Sequence, residues 1–176
     1  MPDAPGLELI AHEINDRTEG AVVETSFEHH QAALIVDPAH IRTVLEHLKD
    51  APAHEYRFLS SVHGADYLPA EPRFAVHYEL INMPRVERIR VKALLPDPGP
   101  DALPEIDSVV DLFPTAEFQE REVHDFFGIL FHGHPDLRRI LLPEDYVGWP
   151  QRRDFPVGGD PVIFTNTEDS VPGWTR

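Results

Sequence analysis

Residues 87–95, "ERIRVKALL", place Ile89, Val91, Ala93 and Leu95 on one side of an extended chain and Arg88, Arg90 and Lys92 on the other. Successive strand side chains point to opposite faces, so this alternation predicts a strand with one apolar face and one face that is wet or meets a partner. Two earlier runs repeat the pattern. Phe74, Val76, Tyr78 and Leu80 alternate with Ala75, His77 and Glu79, and Tyr56, Phe58, Ser60 and Val62 alternate with Arg57, Leu59, Ser61 and His63. The short connection around Asn82 to Val86 favours antiparallel neighbours, which makes these three strands a meander.

Upstream, "DPAHIRTVLEHLKD" offers Asp37 as a cap, Pro38 at the first helical position, and a stripe of Ile41, Val44, Leu45 and Leu48, predicting a helix. Before it lie two extended runs, Ala21 to Phe27 and Ala32 to Val36, joined by a turn at Glu28 to Gln31. A first short helix carries Leu7, Ile10 and Ile14 and ends before Gly20. The order helix, two strands, helix, three strands predicts an α+β two-layer sandwich: a mostly antiparallel sheet with helices on one face.

After the proline-rich "PDPGPDALPEID", Asp107 to Leu112 is expected to make a short helical turn. Thr115 is expected to cap a longer helix that ends at Gly128, with Val123, Phe126, Phe127 and Leu130 as its core face. From His132 onward Pro, Gly, Arg and Asp dominate and periodicity is lost. The expected division is a globular domain over 1–131 and an irregular C-terminal extension over 132–176, ordered by another surface. The tail from Gly158 to Arg176 shows no period beyond Val162 to Phe164 and is expected to be disordered alone or draped over a neighbour.

Composition narrows the functions. The 176 residues hold no run of the roughly 18–20 apolar residues that a spanning helix requires. The start, "MPDAPGLELIAHEIND", lacks a basic stretch followed by an apolar one, which points to the cytoplasm. A formal charge of −16 argues against sequence-independent nucleic-acid binding. With no cysteine, the chain lacks the thiolates that hold iron–sulfur clusters or Cys-rich zinc sites. Neither a G-x-G-x-x-G or G-x-x-x-x-G-K-[ST] loop nor a G-x-S-x-G elbow is present. The cations are thirteen Arg and two Lys, a bias that suits bidentate contacts at protein interfaces.

The densest stretch is "EREVHDFFG", residues 120–128. Glu120, Glu122 and Asp125 beside Arg121 would serve acid–base chemistry only if their environments differed, and on a short helix they are expected to sit mostly in water, with Glu117–Arg121 and Arg121–Asp125 as i, i+4 pairs. The eleven His raise a metal reading. His132 and His134 in "FHGHPD", with His124 nearby, would be its ligands in a stand-alone His-dependent metalloenzyme, although no H-E-x-x-H accompanies them.

As a unit, "FQEREVHDFFGILFHGHPDLRRILLPEDYVGWPQRRDFPV" resembles the signature region of the 30 kDa subunit (the bacterial C-type subunit) of respiratory NADH:quinone oxidoreductase, complex I. The resemblance rests on Glu120, Arg121, Glu122, Asp125, Phe126, Phe127 and Gly128, then His134, Pro135, Asp136, Leu137, Arg138, Arg139, Ile140 and Leu141. It continues through Asp145, Tyr146, Gly148, Pro150, Arg152, Arg153, Asp154, Phe155 and Pro156. Arg153 stands where that family commonly has Lys, a change that keeps charge and alters geometry. From Met1 to Val110 the likeness is one of element order and length.

The resemblance implies a non-catalytic assembly subunit of the enzyme's peripheral arm, with no cofactor of its own. Iron–sulfur clusters, FMN and quinone would belong to other subunits of a proton-translocating respiratory electron-transport complex. Its implied partners are the larger D-type subunit at the quinone site and neighbouring iron–sulfur subunits, and it would reach the cytoplasmic face of the cell membrane only through the complex. The same scaffold in a ferredoxin-fed dehydrogenase or a membrane-bound hydrogenase is the alternative. Arg138, Arg139, Arg152 and Arg153 would hold carboxylates and carbonyls within the chain or across the joint, with Tyr146, Trp149 and Phe155 as aromatic anchors. Gly133, Gly148 and the prolines would let the extension follow a partner's surface.

Overall fold

A computed structural model describes residues 2–156; the tail expectations for 158–176 lie outside the described residues. Helix α1 (Ala4–Asn15) is followed by strands β1 (Val22–Glu28) and β2 (Gln31–Val36), helix α2 (Ile41–Asp50) and strands β3 (Phe58–Asp66), β4 (Phe74–Asn82) and β5 (Glu87–Leu95). A three-residue strand β6 (Glu105–Asp107), helix α3 (Ala116–Phe127) and strand β7 (Leu130–His132) complete the regular elements.

The five-stranded sheet runs β1-β2-β5-β4-β3, and β3, β4 and β5 form the expected antiparallel meander. Within it, β2 lies parallel to β5, pairing Leu34 with Val91 and Val36 with Ala93. Periodicity carries no information on that neighbour. The β1–β2 turn falls at Glu28 to Gln31 as expected: only His29 and His30 lie between the strands, both at positive φ, as the favoured two-residue hairpin turn requires.

Leu34, Val36, Val76, Tyr78, Val91 and Ala93 face one layer of helices and form one core with Leu7, Ile10, Ile14, Val44, Leu45, Leu48, Val123 and Phe127. The opposite face carries the polar set Ser26, His77, Arg90 and Lys92 around an open groove. In β3 the expected inward face is corrected by a bulge between Leu59 and Ser61. The extra residue turns Leu59 inward with Val62, while Phe58 is exposed and Tyr56, fully buried, precedes the strand.

The turn expected over Asp107 to Leu112 forms over residues 109–113, with the N–H groups of Leu112 and Phe113 both donating to Val109 O, while Asp107 ends β6. It is preceded by a feature the sequence does not announce, the parallel β6–β7 pair that buries Ile106 and Phe131. Thr115 stands at the N-cap of α3, but its hydroxyl donates to Leu59 O instead of closing the cap. Gly128 ends α3 with φ +70°. Gly64 lets α3 settle on β3: a Cβ there would lie 2.6 Å from the Phe127 ring.

Candidate functional site

Helix α3 buries Ala116, Glu120, Val123 and Phe127, the i, i+4, i+7, i+11 row, so Glu120 lies on the apolar face. The expectation that its carboxylates sit in water is therefore wrong for two of three: Glu120 and Asp125 are fully buried, and Glu122 is exposed. The expected i, i+4 pairs are absent among the described residues. Arg121 turns instead to the carbonyls of Arg138 and Arg139, and Asp125 takes Arg139 as partner.

Each buried carboxylate has a defined job. Glu120 accepts from the Ser108 hydroxyl at 2.6 Å and from Val109 N at 2.8 Å, joining α3 to the segment after β6. Burial pushes its carboxyl up to about 7 despite those two donors. Asp125 accepts from three consecutive backbone N–H groups, those of Ile140, Leu141 and Leu142, at 2.8–3.1 Å, and from Arg139 Nη1 at 2.8 Å. Burial alone would raise its carboxyl, but these donors outweigh it and hold the group below the usual carboxylate range.

The last carbonyls of an α-helix have no partner inside the helix. Here the C-cap residue Gly128 and residues beyond β7 supply them. Gly128 N donates to His124 O, Arg139 Nη1 to Asp125 O at 2.9 Å, Gln151 N to Phe126 O at 3.2 Å, and Arg152 Nε to Phe127 O at 2.7 Å. Two guanidinium groups thus sit at the negative end of the helix dipole. Arg139 Nη2 also binds the carbonyls of Tyr146 and Gly148, at 3.0 and 2.9 Å, folding 139–148 into a closed loop around one cation.

The aromatic anchors pack within the chain. Trp149 lies against Gly128, where a Cβ would come within 2.5 Å of the indole, and its ring is 4.6 Å from the Arg139 guanidinium. Tyr146 stacks on Phe155 at 6.4 Å, and Phe155 crosses Gly148 so closely that a Cβ there would meet it at 2.7 Å. Gly148 has φ +105°, so both its conformation and its bareness serve this contact.

A second anchor fixes the far end of the segment, joining Asp154 of the signature region to Arg73, Asp66 and Asp97, which belong to no motif. Arg73, almost fully buried, reaches Asp66 at 2.9 Å, Asp97 at 2.8 Å and Asp154 at 2.7 Å. Arg153 contributes its backbone N–H to Asp66 Oδ2 at 2.8 Å while remaining exposed. Burial would raise the Asp66 carboxyl, but donors from Arg73, Leu68 and Arg153 bring it down to about 2. Arg152 lies over the Phe74 ring at 4.9 Å beside this cluster, and burial lowers its pKa.

The remaining signature residues occupy the surface. Arg138 pairs with Asp136 at 2.9 Å, both exposed, and Asp145 is exposed. The three histidines of the metal reading do not converge. His124 Nδ1 contacts Ile129 O, His132 Nε2 contacts Glu105, and His134 accepts from Asp136 N through Nδ1, leaving Nε2–H to donate to Glu117 O. Each uses a ring nitrogen on a different partner, which removes the stand-alone metalloenzyme built on them. The one cluster among the described residues with metal-ligand spacing is elsewhere, at Glu13, His47 and His54.

The fold and site therefore define a cysteine-free α+β sandwich whose last helix is capped by its own returning chain, with its signature residues committed to holding that chain in place. Residues 34–161 match the family described as Respiratory-chain NADH dehydrogenase, 30 Kd subunit, and the chain belongs to it. It is 40% identical to the C subunit of NADH-quinone oxidoreductase from a Methylobacterium species (strain 4-46), over 87% of this chain and 69% of that one. With the C subunit from Saccharopolyspora erythraea it shares 38% identity over 98% of this chain and 68% of the relative. Among solved structures it is similar to a chain of the membrane-bound sulfane sulfur reductase, an archaeal respiratory membrane complex. That likeness has a TM-score of 0.66 and 28% identity, and covers 85% of both chains.

Proposed function

We propose that this chain is a structural subunit of the peripheral arm of a proton-translocating NADH:quinone oxidoreductase, without catalytic residues or a redox cofactor of its own. It packs against the larger D-type subunit of the quinone site and neighbouring iron–sulfur subunits at the cytoplasmic face of the membrane. FMN, iron–sulfur clusters and quinone belong to those other subunits. The observation that carries this reading is how the signature residues are spent. The buried and half-buried ones, Glu120, Arg121, Asp125, Arg139 and Arg152, fix backbone on α3 and the segments packed against it. The exposed ones, Glu122, Asp145 and Arg153, share the signature region's surface with exposed apolar Phe118, Leu141 and Val147. Exposed apolar side chains beside charged ones are the composition of a surface that meets a partner.

In this reading residues 132–176 are the partner-binding arm, and within it 133–156 are pre-shaped by their contacts with α3 and the sheet, so that this part loses little ordering entropy on assembly. No helix of the described residues is long and apolar enough to cross a membrane, which fits attachment through partners. The likeness to a chain of the sulfane sulfur reductase complex favours one second reading: the same scaffold role in a related respiratory machine with another electron donor or acceptor, such as a ferredoxin-fed dehydrogenase or membrane-bound hydrogenase.

The experiment is purification of a tagged chain from detergent-treated membranes. Co-purification of a D-type subunit is expected, and the electron-input subunits that accompany it choose between the two readings. Arg139→Ala should lower the yield of intact complex while leaving the spectra of its clusters unchanged. Normal assembly with a specific loss of turnover would overturn the structural role.

A further inference from the structure

Helices α1 and α2 lie on the same face of the sheet, and at their C-terminal ends the structure brings together three side chains that the assembly reading does not use. Glu13 comes from the last turn of α1, His47 from the last turn of α2, and His54 from the turn that follows α2. His47 Nε2 is 3.3 Å from Glu13 Oε1, and His54 Nε2 is 3.0 Å from Glu13 Oε2. One ligand atom from each residue lies within 4.8 Å of the others. A tetrahedral zinc ion with bonds of about 2.0–2.1 Å spaces its ligand atoms about 3.3 Å apart, a spacing that the set comes within about 1.5 Å of.

We propose that Glu13, His47 and His54 form a binding site for one divalent transition-metal ion of the zinc class, held by a carboxylate oxygen and two imidazole nitrogens, with the fourth position taken by water. The independent observation is at His47. Its side chain is nine-tenths buried, and Nε2, though 3.3 Å from Glu13 Oε1, makes no hydrogen bond. A buried polar atom without a partner costs stability, and a bound cation would satisfy it. His54 is equally buried, and its backbone is fixed by Asn82 Nδ2, which donates to the His54 carbonyl at 2.6 Å.

Glu13 is the most open of the three side chains, so water can reach the fourth position. Arg17, 3.6 Å from Glu13 and itself exposed, is free to swing into solvent when a cation enters. Two imidazoles and one carboxylate without thiolate favour zinc, cobalt or nickel over calcium or magnesium. The ion would staple α1 to α2. Glu13 lies outside the family match, which begins at residue 34, whereas His47 and His54 lie within it.

The test is titration of zinc into the full chain after chelator treatment, followed by calorimetry. One ion per chain is expected, with a rise in Tm of about 5–10 °C at a hundredfold excess over Kd. Cobalt in place of zinc should give the visible absorption of a four-coordinate N/O site. His47→Gln should weaken binding at least tenfold and abolish the cobalt bands, whereas changing the exposed hairpin pair, His29→Gln with His30→Gln, should leave both intact. If His47→Gln does not fold by circular dichroism, Glu13→Gln serves in its place. Absence of stoichiometric binding, or binding that survives His47→Gln or Glu13→Gln, would overturn the site. The isolated chain suffices, so the outcome is separable from that of the assembly reading.

Discussion

Two regions of this molecule are held by different forces. In the sheet-and-helix body, β4 alone buries seven of its nine residues, and the core is continuous from α1 to α3. In the segment 133–156 no residue is buried. It has neither helix nor strand, and what fixes it is a set of hydrogen bonds to groups that are buried in the body, Asp125 and Arg73 above all. The body follows hydrophobic area. The segment follows a few desolvated charges, whose loss leaves several partners unsatisfied at once.

The largest effect expected from breaking this contrast is at Asp125. Asp125→Ala strands three backbone N–H groups and removes the carboxylate paired with Arg139, a loss of about 3–5 kcal/mol. Hydrogen exchange should show amides 140–142 losing protection while those of β4 and β5 keep theirs. Equal loss throughout would mean that the two regions unfold as one. In the body, Leu80→Ala removes a fully buried side chain and should cost about 2–4 kcal/mol of global stability by urea unfolding. That loss should be insensitive to salt, and early release of the segment 133–156 would contradict it.

Glu120 sharpens the comparison through pH. Its carboxyl titrates near 7 in the fold against an ordinary 4.5, so between those values the folded state holds a proton that the unfolded state has released. Stability from this group is therefore present below pH 4.5 and falls as pH rises to about 7, by about 2–3 kcal/mol. Glu120→Gln should match the parent at pH 4.5 and be more stable by about that amount at pH 8. An equal difference at both pH values would refute the assignment. The smallest effect belongs to Arg138: its pair with Asp136 is exposed, and Arg138→Ala should change stability by less than about 1 kcal/mol.

Much of the body was legible because its side chains alternate. The strands at 74–80 and 89–95 and the stripe of α2 follow directly from their periods, since burial of one face is what the pattern records. The parallel neighbour of β5 was not legible, because pairing partners are chosen by three-dimensional closure and leave no local trace. The bulge in β3 shifted its inward face by one residue, which a strict period of two cannot represent.

In the site, the motif marked the right helix, but the burial of Glu120 was readable only from the row Ala116, Glu120, Val123, Phe127, where a carboxylate occupies a core position. Arg73, Asp66 and Asp97 carry no motif at all, and only Asp154, the third aspartate on Arg73, lies in the signature region. Their meeting depends on β3, β4, the end of β5 and residue 154 converging, which no spacing along the chain reports.

The same convergence has a kinetic side. Because the segment is moored at two separated points, the Asp125 anchor near its start and the Arg73 anchor near its end, it acts as a bivalent ligand for its own body. Each mooring keeps the other at high effective concentration. Releasing one should therefore produce a tethered flap that rebinds quickly, and only simultaneous release would let it dissociate for long enough to be captured by something else.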